Sequence, residues 1–146
     1  MLNCLTRPQA PAWVRSALEA PASTLPNSYV FHRAIVTPLP LEISCSEVQT
    51  WRTENQDFVL VDCREPAEHT LVAISGSQLL PMSQLPQRYQ ELSGQEDQRL
   101  VVYCHHGQRS AQVTAWLRQQ GFSQAQSMAG GIDAWAVQIE EGMQRY

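Results

Sequence analysis

The stretch Arg99-Leu100-Val101-Val102-Tyr103-Cys104-His105-His106-Gly107-Gln108-Arg109-Ser110 decides how the rest of the chain is read. Behind Arg99 runs an unbroken apolar segment, which predicts a strand over 99–103 buried on both faces. From Ser110 onward Val113, Trp116 and Leu117 recur at helical spacing as core residues, and Gly121 ends the run. This predicts a helix over 110–120, with Phe122 folded back on Leu117 in a glycine-terminated cap. A buried strand that enters a helix through a short Gly-containing loop is the joint of an open α/β sheet. Binding sites in such sheets lie beyond the carboxyl ends of the strands.

Working outward, the same alternation continues on both sides. Leu39 to Ile43 predicts a short strand, and residues 46–53 a helix capped by Ser44 or Ser46. Phe58 to Asp62 is a second continuous apolar run and a second buried strand. A short helix is expected over 65–71, with Pro66 tolerated in its first turn, then a weak strand over 78–80 and a helix over 85–92. A strand over 125–128, the pair Gly130-Gly131 and a last helix with Trp135 in the core complete the order. Strands and helices alternating at this spacing predict an α/β fold, a parallel sheet with helices on both faces. Six of the nine prolines fall in the first forty residues. Residues 1–38 are therefore expected to form a Pro/Ala-rich, largely disordered arm. The domain is expected over 39–140, with 141–146 as a tail and Glu140 and Glu141 as a solvated helix end.

Composition narrows the chemistry. At 146 residues and 43% hydrophobic the chain fits one globular domain. All ten basic residues are Arg. The absence of Lys removes Schiff-base catalysis and a phosphate-loop lysine. A net charge of −4 argues against nucleic acid or a membrane surface as partner. No apolar run approaches the roughly 18 residues of a membrane span, and Met1 to Pro11 lacks the apolar stretch of a signal peptide. A cytoplasmic protein is expected, with Cys4, Cys45, Cys63 and Cys104 as free thiols. No Cys or His pair shows zinc-ligand spacing, and neither metal nor cofactor is expected.

The chemistry concentrates in Cys104 to Ser110. A tight loop entering a helix turns successive backbone N–H groups inward, making an anion cradle backed by the helix dipole. A thiol at its base has its pKa lowered, because the thiolate is the form the cradle stabilises. Cys104 is thus the expected nucleophile. Gly107 lets the backbone turn, Arg109 offers a planar fork to an oxyanion, and Gly107, Gln108 and Ser110 contribute mainly their amides. His105 and His106 hold an anion when protonated or tune Cys104, or else sit idle on the rim. Spacing by itself says little: with ten Arg in the chain, one of four Cys meets an Arg five positions on roughly a quarter of the time. The strand before, the helix after and the glycine inside give the motif its weight.

Three separated stretches then carry a resemblance. Val61-Asp62-Cys63-Arg64-Glu65-Pro66, Cys104 to Ser110, and Gly130-Gly131-Ile132-Asp133-Ala134-Trp135 resemble, in this order, motifs of the rhodanese-like domain family over about residues 39–139. The resemblance implies a five-stranded parallel sheet and sulfane-sulfur transfer through a persulfide on Cys104. The donor would be a small sulfur-containing anion such as thiosulfate, and the acceptor cyanide, a small thiol or a protein. Related phosphatases have five residues between Cys and Arg; this chain has four, His105 to Gln108, which favours sulfur over phosphate. One departure stands out: the family's Gly-His-Ile-x-Gly-Ala segment reads Val72-Ala73-Ile74-Ser75-Gly76-Ser77, with Ala73 in place of His. Asp62 and Arg64 are expected to pair and cap the turn after their strand. By the family's strand order Cys63 neighbours Cys104, as a packing residue or, alternatively, a resolving thiol. Two rival functions remain: an arsenate reductase or phosphatase using the same loop, and a non-enzymatic sulfur-carrier or regulatory module whose arm holds a partner.

Overall fold

A computed structural model describes residues 39–146; the expected arm over 1–38 lies outside the described residues. Five parallel strands form one sheet in the order β1-β5-β4-β2-β3. They are β1 (Glu42–Ile43), β2 (Val59–Asp62), β3 (Gln78–Leu79), β4 (Leu100–Tyr103) and β5 (Ala125–Met128). The helices are α1 (Cys45–Thr53), α2 (Pro66–Leu71), α3 (Leu85–Arg88), α4 (Gln108–Gln119) and α5 (Gly131–Gln138). The α/β class and the five-stranded parallel sheet expected from the sequence are both present.

The central strand explains the arrangement. Every residue of β4 is fully buried, as the apolar run over 99–103 predicts for a strand covered on both faces. Its side chains alternate: Leu100, Val102 and Cys104 join the core beneath α4, while Val101 and Tyr103 join the core that holds Trp135 of α5. That alternation carries the Cys104 side chain to the α4 side just where the strand ends. Val113 and Leu117 of α4 pack into the same cluster. Trp116 is half-buried and meets Tyr89 edge-on at 5.2 Å.

Local signals set most boundaries. Ser44 caps α1 through a capping box: its hydroxyl accepts from the Glu47 amide, and the Glu47 carboxylate accepts from the Ser44 amide at 3.2 Å. Such a cap contributes about 1 kcal/mol. Behind α4, Phe122 N–H donates to Leu117 O and Gly121 N–H to Arg118 O, with Gly121 at φ +106°. This is the expected fold-back.

Three elements differ by two or more residues from their sequence-based boundaries, the first being β1, which begins at Glu42 rather than Leu39. The expected helix over 85–92 is only one α-helical turn, Leu85–Arg88, between 3₁₀ turns Met82–Gln84 and Tyr89–Leu92. Leu85 and Leu92 are its only buried residues, too few for a continuous apolar stripe, and Pro81 and Pro86 withhold amides nearby. α4 begins at Gln108, two residues before the expected start, so Gln108 and Arg109 belong to its first turn rather than to the loop. None of the described helices is long and apolar enough to cross a membrane.

Candidate active site

The site forms where β4 stops. Cys104 is 1% exposed, and its Sγ accepts a hydrogen bond from the Gly107 amide at 3.1 Å. The hydroxyl of Ser110 lies 3.5 Å from the same sulfur and 2.8 Å from the Ser127 hydroxyl. Gly107 adopts φ +98°, and a Cβ there would stand 3.0 Å from the Gly130 nitrogen. Glycine is therefore required for the loop to close over the sulfur.

The other side of the loop is held from a distant part of the chain. Ile132 N–H donates to Cys104 O at 2.8 Å and Asp133 N–H to His105 O at 3.1 Å. Gly131, at φ +61°, leaves the space in which those two carbonyls sit; a Cβ would overlap both. The first amides of α5, otherwise orphaned, thus turn the loop carbonyls away from the sulfur. The Gly107 amide and the amide and hydroxyl of Ser110 are left facing it. The Gly130 to Trp135 segment and the Cys104 loop form one structure.

These groups set the charge on sulfur. The Cys63 thiol beside it, then the Ser110 hydroxyl and the Ser110 and Gly107 amides, hold the Cys104 pKa down to about 4 against the opposing effect of burial. A thiol with a lowered pKa is ionised above that value, so Cys104 is a thiolate at neutral pH. Burial pushes Cys45 upward, and Cys63 is pushed upward by its hydrogen bond to Cys104 and by burial. The ultraviolet absorbance of thiolate, taken as wild type minus Cys104→Ser, should therefore stay flat from about pH 8 to pH 6 and fall with a midpoint near about pH 4. A midpoint near about pH 8 would contradict this environment.

The remaining site candidates fall on the rim. Arg109, in the first turn of α4, has its fork closed on Glu68 by two hydrogen bonds of 2.8 Å each. An incoming anion must share that guanidinium with the carboxylate or displace it. Glu68 is held at about 2, chiefly by Arg109, and it also accepts from the Tyr146 hydroxyl at 2.8 Å. His105 stacks between His106 and Tyr146, with ring centroids 3.9 and 4.1 Å away. Burial and the neighbouring His106 push its pKa below the ordinary value, which weakens its hold on the proton that binding an anion would use. His106 is exposed, its Nδ1 3.9 Å from Asp133. Gln108 is exposed and contributes to the first turn of α4.

Beneath the rim Asp62 and Arg64 pair as expected, and both are fully buried. Asp62 accepts from the Arg64 amide and guanidinium, meets His69 Nδ1 at 2.8 Å, and accepts from the Tyr103 hydroxyl at 3.0 Å. Arg64 donates to Val72 O, and Tyr103 Oη accepts from the Ile74 amide and lies 2.9 Å from the Ser77 hydroxyl. The segment that carries Ala73 is pinned by these bonds at both ends. Sequence reading missed Glu68, Ser127 and Tyr146. Their partners lie 41, 17 and 78 residues away in the chain, and no local pattern signals them.

Comparison with known proteins agrees with this fold. The rhodanese-like domain model matches residues 44–138. A sulfurtransferase of Allochromatium vinosum is 38% identical over 95 residues, covering 65% of this chain and 87% of the relative. The probable adenylyltransferase/sulfurtransferase MoeZ of Mycobacterium tuberculosis is 36% identical over 104 residues, 71% of this chain; the chain spans only 26% of that relative's length. Among solved structures, the human single-domain sulfurtransferase TSTD1 superposes with a TM-score of 0.60 at 26% identity, covering 68% of this chain and 98% of that one.

Proposed function

The chain belongs to the rhodanese-like domain family, and from that premise we propose that it is a sulfurtransferase whose carrier is Cys104. The Cys104 thiolate attacks the outer sulfur of a thiosulfate-like donor. A sulfur–sulfur bond forms to Cys104, the donor's own sulfur–sulfur bond breaks, and sulfite leaves with the electron pair. The persulfide carries its negative charge on the terminal sulfur, within reach of the loop amides. Cyanide, a small thiol or a protein thiol then attacks that terminal sulfur and regenerates the thiolate. Nucleophilic catalysis in two half-reactions gives ping-pong kinetics.

The observation that carries this reading is the Cys104 sulfur under the Gly107 amide at 3.1 Å, a contact that favours the thiolate. The relatives named sulfurtransferases support the reaction class. Buried free thiols at Cys45, Cys63 and Cys104 suit a reducing cytoplasm.

Two assays run side by side test the proposal. Thiosulfate with cyanide should yield thiocyanate with parallel double-reciprocal plots, while an aryl phosphate should be hydrolysed at no more than about a hundredth of that rate. Faster phosphate turnover would replace the proposal with a phosphatase. Absence of both activities, with no sulfur gained by the protein, would leave a binding module.

A further inference from the structure

Cys63 is a buried thiol to which the reaction just described gives no bond-making step. It stands one residue past the end of β2 and Cys104 one past the end of β4. These strands are hydrogen-bonded neighbours in parallel register, Asp62 opposite Tyr103, and Cys63 N–H donates to Tyr103 O at 3.0 Å, which carries the register to the Cys63–Cys104 pair. Residues at paired positions point to the same face. Both cysteines accordingly enter the same core cluster, at 0% and 1% exposure. Two thiols thus meet side by side in a dry setting, and one of them also receives the loop amides.

We propose that Cys63 is a positioning residue for the sulfur carrier: it keeps its proton and directs it at the Cys104 sulfur, stabilising that sulfur as an anion. The inference rests on Cys104 being the carrier. A weak S–H donor gains strength when its acceptor is charged and water is excluded. Beside a thiolate and behind a buried carboxylate at Asp62, Cys63 has every electrostatic reason to remain protonated, and its acidity is indeed suppressed. Burial and the Asp62 carboxylate, which persist when Cys104 carries sulfur, also weigh against a resolving role. To resolve the persulfide, Cys63 would have to release its proton and attack Cys104 Sγ, expelling hydrosulfide. The thiolate form which that attack requires is the form its surroundings oppose.

The test is the titration of Cys104 by ultraviolet difference absorbance in the full chain, with circular dichroism as the control for folding. Cys63→Val removes the donor at similar volume, and Cys63→Ala serves if valine does not fit. Each should raise the Cys104 midpoint by about one pH unit or more, whereas Cys63→Ser, which keeps a hydroxyl donor, should stay within about half a unit of wild type. A purely structural role would lower stability and leave the midpoint in place. An unmoved midpoint in folded Cys63→Val or Cys63→Ala overturns the inference. So does a Cys63–Cys104 disulfide detected by non-reducing mass spectrometry after mild peroxide. If the midpoint moves but thiosulfate adds no sulfur to the wild-type protein, the sulfur-carrier reading fails while the acidity link stands.

Discussion

Cys104→Ser should fold as the wild type does and lose sulfur transfer by about a thousandfold or more, which corresponds to about 4 kcal/mol of transition-state stabilisation. The substitution exchanges one small, polar atom for another at a position that is 1% exposed and already receives a backbone amide. Its cost in stability should stay near or below about 1 kcal/mol. What disappears is the ionised sulfur. A serine hydroxyl is not ionised at neutral pH without a base, and no titratable base hydrogen-bonds to the Cys104 sulfur among the described residues. Intact mass after thiosulfate treatment is the direct readout. Wild type should gain one sulfur and the variant none. A variant that still gains sulfur and turns over would move the carrier to another cysteine.

The largest effect on stability is expected at Asp62→Ala. The carboxylate is fully buried, and its loss would leave the equally buried Arg64 without its counter-ion. Removing one partner of such a pair costs about 3–5 kcal/mol, enough to lower Tm by more than about 10 °C in a domain of this size. Replacing both partners, with Asp62→Leu and Arg64→Met together, should recover about half of the loss or more, because no charge is then stranded. Urea unfolding of the three proteins checks this; a single variant costing less than about 1 kcal/mol would show that the pair does not hold the turn. The pH dependence has a definite sign. Burial by itself would raise the Asp62 pKa, but hydrogen bonds from Arg64 and His69 outweigh it and hold it below its ordinary value. A carboxylate lowered on folding stabilises above its unfolded pKa, near 3.9, and that contribution fades as pH falls through the folded one. The single variant should therefore lose part of its deficit relative to wild type in strong acid.

Much of the fold was legible because its signals are local. The apolar runs before Asp62 and Cys104 mark strands buried on both faces, and Gly121 marks a helix end whose fold-back is present in detail. The segment over 85–92 reads as one helix, but its two buried residues, Leu85 and Leu92, are too few to enforce one. In the site, Cys104, Gly107 and Ser110 were readable from one loop, since a tight strand-to-helix turn fixes where its amides point. The rim was not. Arg109 grips Glu68, a contact spanning 41 residues, and an anion would have to share that fork. His105 stacks between His106 and Tyr146, and burial there lowers its pKa. Such pairings depend on how α2, α4 and residue 146 converge, and the spacing of residues along the chain does not encode that convergence.

The bonds from Ile132 and Asp133 to the carbonyls of Cys104 and His105 have a consequence for reactivity. The loop does not own its shape. If the final helix peeled away by local opening, the two peptide groups would be free to rotate and the sulfur would revert toward an ordinary thiol, although neither the β4 strand nor the cysteine had moved. Damage more than twenty residues downstream would then silence the nucleophile while the sheet stayed whole, so an inactive variant in this segment need not be an unfolded one.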